Sequence, residues 1–210
     1  MAEIEKLITG FKRFHDAYFG GDQELFGQLK QGQTPSAMVI ACSDSRVDPA
    51  ILLDCEPGDL FMVRNVANLV PPYEKGAGLH GVSTALEFGV CVLGVQHLIV
   101  LGHSRCGGIQ ALMQGIPAGA SSEFIGNWVN IAARAKERVL AELPGASEQR
   151  QWHACEEASI LVSLENLLTF PWIKARAESG ALTLHGWYFD IGSGQLVAYN
   201  PKLQRFESLT

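Results

Sequence analysis

Two short segments hold side chains that could do chemistry together: Cys42-Ser43-Asp44-Ser45-Arg46 and, far downstream, Gly102-His103-Ser104-Arg105-Cys106-Gly107-Gly108. Between them they offer two thiols, an imidazole and a carboxylate. Soft thiolates combined with an imidazole suit Zn²⁺ better than any other common ion. His103 and Cys106 are three residues apart across an expected strand-to-helix turn, so both can converge on one point. A lone His-x-x-Cys is a weak pattern, and the Cys-x-Asp-x-Arg segment makes it specific. Asp44 lies two residues from Cys42, and in an extended segment such positions face the same way. It can take the fourth zinc position, which fills the metal. Alternatively it can pair with the bidentate fork of Arg46 and leave that position to water, the mark of a catalytic zinc. The sequence leaves both arrangements open.

Charge counting refines the chemistry. Zinc with two thiolates is formally neutral and acidifies water less than zinc on three imidazoles, so its water should ionise above about pH 7.5. Hydroxide on that zinc is a nucleophile for a small electrophilic carbon.

The elements that must position these residues follow from the apolar pattern. Each segment trails a β-prone run, Ala37–Ala41 and Leu98–Leu101, and each is followed by a turn or helix start. Two buried parallel strands would carry the four ligand-type residues to their C-terminal ends, where open α/β sheets bind ligands. Ile4, Leu7, Ile8, Phe11, Phe14 and Tyr18 predict an amphipathic helix ended by Gly20-Gly21, followed by a short helix over 23–30. Pro49–Leu53, a turn at 56–59 and a strand at 60–64 come next, then a loop over 65–75. Helices are expected over 81–93, 108–113, around Trp128–Val139, and over 156–168 to Phe170-Pro171. Two closing strands, 182–188 and 195–199, flank the hairpin signal Asp190-Ile191-Gly192-Ser193-Gly194. The expected fold is α/β: a mostly parallel sheet of four to five strands with an antiparallel edge strand, flanked by helices. Residues 1–30 form an N-terminal helical arm for dimerisation, and 31–210 form the zinc-binding domain. The apolar stripe of the arm needs a surface to cover: a partner subunit is the natural one, and its own domain is the alternative.

Bulk properties exclude several classes. The chain has 210 residues, 47% hydrophobic and 18% charged, so it folds and fills one ordinary domain. A net charge of −6 with no basic run argues against nucleic acid. No apolar stretch reaches membrane-spanning length. The acidic start Met1–Lys6 does not read as a signal peptide. Five cysteines at unpatterned positions do not make a disulfide framework, which points to a reducing, cytoplasmic setting. Cys55, Cys91 and Cys155 read as small buried hydrophobes. His80, His97, His153 and His185 read as surface or core-edge histidines, with His80 a candidate for proton transfer because it precedes a pocket-forming helix.

The two zinc segments, together with Glu56-Pro57-Gly58-Asp59-Leu60-Phe61, Arg64-Asn65-Val66-Ala67-Asn68 and Leu184-His185-Gly186-Trp187, resemble the β-class carbonic anhydrases over nearly the whole chain. The resemblance implies one Zn²⁺ per chain on Cys42, His103 and Cys106, with Asp44 as fourth ligand or as partner of Arg46. It implies reversible hydration of CO₂ to bicarbonate and a proton by hydroxide on zinc. Gln33, Phe61, Val66 and Phe88 would line the substrate pocket, and the Gly107 N–H would face bicarbonate. A homodimer or a multiple of dimers is implied, with Gln33 and Phe61 reaching a neighbouring zinc. Bicarbonate-regulated members carry a Trp where this chain has Val39, which places it in the plant-like, non-allosteric branch and gives Arg64 a supporting role. Many relatives have Tyr where Phe88 stands. Two alternatives use the same residues: hydrolysis of CS₂ or COS, and a non-catalytic zinc or bicarbonate-sensing protein.

Overall fold

The computed structural model of the chain describes residues 2–21, 24–76, 78–116 and 123–209. Two compact units divide it, Met1–Thr34 and Pro35–Thr210. In the first unit, α1 (Ala2–Phe19) and α2 (Glu24–Leu29) share an aromatic cluster. The Phe26 ring lies 5.8 Å from Phe14 and 4.7 Å from Phe19. Ile4, Leu7, Ile8 and Phe11 of α1 stay exposed. Gln23, the expected start of the second helix, lies outside the described residues.

The second unit opens with β1 (Ala37–Cys42), a run of apolar residues buried almost throughout. Such a run suits a strand covered on both faces. Asp48 then caps α3 (Pro49–Leu52) by accepting from the Ala50 N–H, with Pro49 at the first helical position. Next come β2 (Leu60–Asn65), a short 3₁₀ turn over Val66–Asn68, and α4 (Gly81–Glu87), which runs into a π-type turn over Phe88–Val92. The expected single helix over 81–93 therefore widens midway, where the Leu93 N–H reaches the Phe88 carbonyl. β3 (His97–His103) leads directly into α5 (Gly107–Gln114). The helix expected around Trp128–Val139 is two, α6 (Glu123–Val129) and α7 (Ala133–Glu142), joined by a tight 3₁₀ turn at Asn130–Ala132. α8 (Glu148–Leu167) starts eight positions before the expected Glu156, because Ser147 caps a polar first turn that carries no apolar signal. α9 (Pro171–Glu178) follows, unforeseen, with Pro171 at its first position. The chain closes with β4 (Thr183–Phe189), β5 (Leu196–Asn200) and β6 (Arg205–Ser208).

Among the described residues one sheet has six strands in the order β2-β1-β3-β4-β5-β6, one more than expected. The first four are parallel, and β5 and β6 are antiparallel. Met38, Ile40, Leu98 and Val100 fill one face with Leu86, Val90 and Ile160. Val39, Ala41, Ile99 and Leu101 fill the other. A Cβ on Gly102 would come within 2.7 Å of Ile160, so its absence lets α8 lie close against β3. That close approach brings the first half of α8 up to the C-terminal edge of the sheet, where the ligand-type residues gather.

Candidate metal centre

β1 and β3 are neighbours in parallel register, with Ala41 opposite Leu101, so both chains leave the sheet at the same level. The first corner, Cys42–Val47, and the second, His103–Gly107, face each other there. Cys42 Sγ and Cys106 Sγ are 3.9 Å apart. Ligand atoms of Cys42, His103 and Cys106 all lie within 4.8 Å of one another, and all three residues are buried. His103 Nδ1 donates to the Ser104 carbonyl at 2.9 Å, since a carbonyl can only accept. The other ring nitrogen, Nε2, is then a bare lone pair, buried and without a protein partner. An orphaned buried acceptor beside two thiols is costly unless a cation takes it. The donor set therefore fits Zn²⁺.

Electrostatics agree. The Cys42 thiol is pulled down to about 4, chiefly by a hydrogen bond from Cys106 and with help from the backbone N–H groups of Asp44 and Ala67. The Cys106 thiol is pushed up, first by its bond to Cys42 and then by burial, although the Gly108 and Ile109 amides oppose this. One proton is held between the two sulfurs; a divalent cation between them takes both as thiolates. Gly108 has its own reason to be glycine. A Cβ there would meet Ala67 Cβ and Val66 Cγ1 at 2.8 Å, and Ala67 sits at φ 64° behind Cys42.

Asp44 is held away from this group. Arg46 Nε donates to Oδ1 at 2.9 Å and Nη2 to Oδ2 at 2.7 Å, while the Arg46 backbone N–H also reaches Oδ1 at 3.0 Å. Arg46 beside it keeps the Asp44 carboxyl well below the usual carboxylate range. Asp44 Oδ2 stands 4.0 Å from His103 Nε2. Of the two arrangements left open by the sequence, the structure has the one in which Arg46 owns the carboxylate. Arg64 braces this corner: its guanidinium donates to the carbonyls of Cys42 and Asp44 and pairs with Asp48 at 2.8 Å.

The other anticipated residues fall as follows. Gly107 opens α5 directly after Cys106. The rings of Phe61 and Phe88 are 5.7 Å apart. Val66 is partly exposed, and its carbonyl accepts from Trp128 Nε1 at 2.7 Å. Gln33 belongs to the N-terminal unit, in the irregular segment after α2. His80 precedes α4 beside Leu79, Phe124 and Trp128, in a cleft that no ligand-type residue of the metal group lines. His97 and His185 face each other at 3.2 Å. Of the remaining cysteines, Cys155 is fully buried, Cys55 half-buried, and Cys91 exposed against expectation. Cys91 lies on the outward side of the π-type turn, which the straight-helix reading could not foresee.

Two residues that carry the second corner from behind were not singled out from the sequence. Ser104 Oγ donates to Asp190 Oδ1 at 2.8 Å and accepts from the Ile191 N–H. Glu156 of α8, buried, accepts from the Cys106 N–H at 3.0 Å and from the Tyr188 hydroxyl at 2.8 Å. A glutamate on the same helical face as Ser159, Ile160 and Ser163 was the available signal.

An open α/β sheet that gathers a Cys₂His cluster at its strand ends, with a carboxylate held beside it, defines a zinc-type metalloprotein. Comparison narrows the class. Residues 37–196 match the family model described as carbonic anhydrase. β-carbonic anhydrase 5, chloroplastic, of Arabidopsis thaliana is 47% identical over 187 residues, covering 89% of this chain. This chain spans 62% of the length of that relative. The solved structure of the β-carbonic anhydrase CcaA superposes with a TM-score of 0.91 at 34% identity, over 100% of this chain and 93% of that one. A structure from a study of two tetrameric β-carbonic anhydrases of Sordaria macrospora gives 0.74 at 26% identity, over 99% and 94%. The chain belongs to the β-carbonic anhydrase family.

Proposed function

We propose that this chain interconverts CO₂ and bicarbonate, with one Zn²⁺ per chain on Cys42, His103 and Cys106. The observation that carries the reading is the double engagement of Asp44 by Arg46, which leaves three protein donors around the cluster, as in catalytic rather than structural zinc sites. Zinc there supplies Lewis-acid activation of water, weaker than in an all-imidazole site. The protein supplies the rest. Asp44 accepts a hydrogen bond from the attacking water and orients it, while Arg46 keeps that carboxylate ionised. Phe61, Phe88 and Val66 give CO₂ an apolar wall. The Gly107 N–H and the Gln33 amide take the oxygens on which charge develops. Hydration adds water oxygen to the carbon and releases one proton to buffer.

Gln33 completes the pocket from a neighbouring copy, with the N-terminal arm as the dimer contact; the exposed apolar stripe of α1 and the tetrameric relatives support this reading. Val39 stands where bicarbonate-regulated members carry a Trp, and the Arg64 guanidinium is engaged by Cys42, Asp44 and Asp48; both support a reading in which bicarbonate is product and not an allosteric inhibitor. Among the described residues no helix is long and apolar enough to cross a membrane. Two thiolate ligands favour a reducing compartment, and we place the protein in the cytoplasm on that ground. Stopped-flow CO₂ hydration by zinc-loaded protein from pH 6 to 9 tests the function. Activity should rise toward alkaline pH; protein holding one zinc per chain yet inactive throughout would overturn it.

A further inference from the structure

We propose that Glu156 is a positioning residue for the Asp44–Arg46 pair, acting through the single peptide group that joins Arg105 to Cys106. The inference rests on the reading of that pair as the control of an open zinc site. The N–H of this peptide donates to Glu156 Oε1 at 3.0 Å. Its C=O accepts from Arg46 Nη2, also at 3.0 Å. The same Nη2 donates to Asp44 Oδ2. One peptide plane thus has a buried carboxylate at one edge and the guanidinium that restrains Asp44 at the other.

The orientation of that plane is not the one the backbone would choose. Arg105 sits at φ 57°, in the left-handed region that a residue with a Cβ enters at a cost. A cleft of about 410 Å³, lined by Arg105, Cys106, Gln110, Trp152, His153 and Glu156, opens beside the peptide. Two hydrogen bonds hold it from its opposite edges. Glu156 is itself fixed: Tyr188 donates to Oε2, and the Tyr188 oxygen accepts from His153 Nδ1 at 2.9 Å. The close seat of α8 on Gly102 and Gly186 puts Glu156 within reach. His153, Glu157, Tyr188 and His103 are the titratable groups around it. Its part is that of a hydrogen-bond acceptor.

If the Cys106 N–H loses its acceptor, the peptide can turn. Arg46 then loses the Arg105 carbonyl, its grip on Asp44 slackens, and Asp44 can reach the metal position. Raising pH should restore activity, because hydroxide competes with the carboxylate for that position.

The test uses the full-length protein loaded with zinc for kinetics and with cobalt(II) for spectroscopy, with azide as the probe of an open coordination position. Glu156→Leu should lower kcat/KM at pH 7 by about 10–100-fold, the range for lost outer-shell partners. It should also move the pH–rate midpoint upward and suppress the azide-induced change in the cobalt absorption, with close to one metal still bound per chain. Glu156→Gln keeps an oxygen for the Cys106 N–H and should recover most of the azide response. In an Arg46→Ala background, Glu156→Leu should change the cobalt spectrum no further. Should Glu156→Leu not fold, Tyr188→Phe, which frees Oε2, should show a smaller loss of azide response in the same direction. Several results overturn the proposal: a wild-type midpoint and azide response in Glu156→Leu or Tyr188→Phe, equal damage from Gln and Leu, or outright metal loss in Glu156→Leu, which would mean that Glu156 only places Cys106. Failure of the underlying reading looks different: wild-type protein would then neither hydrate CO₂ nor respond to azide, or Arg46→Ala would behave as wild type.

Discussion

The two strand-to-helix corners that meet at the metal centre are built on opposite plans. The corner after β1 is pinned by side chains at the rim: Arg64 holds its carbonyls and the half-exposed Arg46 holds Asp44. The corner after β3 is pinned from the interior. Ser104 is tied to the β4–β5 turn through Asp190 and Ile191, and Cys106 is tied to Glu156. The first corner carries the pair that can exchange partners; the second carries two of the three metal ligands. The first wall is movable through the exchange of one hydrogen-bonded pair; the second is fixed as long as Glu156 and Asp190 keep their donors.

The sharpest way to break the contrast is to remove a ligand from either wall. Cys42→Ser and Cys106→Ser should both lose most of the zinc and all of the activity, by elemental analysis and stopped flow, because three donors are the minimum for this ion here. Full zinc retention in either variant would dissolve the assignment. Next in size, Arg46→Ala should cut CO₂ hydration at pH 7 about 100-fold or more while zinc and melting temperature stay near wild type, since the surface contact itself adds little stability. Its counterpart, Ser104→Ala, leaves the Ile191 N–H without its acceptor and Asp190 Oδ1 with the Gly192 N–H alone. It should cost about 1–2 kcal/mol in denaturant unfolding, with activity falling much less than in Arg46→Ala. If the two variants shared one profile, the division between movable and fixed walls would be wrong.

The smallest effect is acid sensitivity, and both walls should show it. Arg46 holds the Asp44 carboxyl low, and the Gly192 N–H with the Ser104 and Ser193 hydroxyls does the same for Asp190. A carboxyl depressed in the folded state contributes stability above its unfolded value, near 4, and that stability fades as pH falls further. Melting temperature should therefore drop between pH 5 and about 3. Asp190→Asn should flatten part of that slope, which a pH series of thermal melts will show.

The metal ligands were readable because each strand's apolar run announces where it ends, and the ligands follow within five residues. Asp44 and Arg46 were readable for the same reason, being local to Cys42, although only the structure says which partner Asp44 keeps. What escaped depends on partners distant in sequence or on local signals with two meanings. Glu156 looks like an ordinary helical glutamate until α8 is laid on β3. Pro171 ends one helix and begins another, and only the beginning is visible in α9. β6 is four residues long, and its one apolar side chain, Phe206, sits between Arg205 and Glu207, too short a pattern to read as a strand. Arg105 gives no hint of a left-handed backbone, since that conformation is imposed by what its peptide must reach.

The register of β1 against β3 also sets an order of events in time. His103 and Cys106 belong to one corner and can meet as soon as that turn forms. Cys42 stands 64 positions from Cys106 and joins them only when two strands distant in the chain have paired. A slip of one residue would send Cys42 to the opposite face of the sheet. A nascent or refolding chain in which β1 has not yet paired with β3 thus presents two of the three donors, and becomes competent for loading only after that long-range pairing is complete. Metal uptake is in that sense a clock for folding: an ion held tightly certifies that the sheet has found its register.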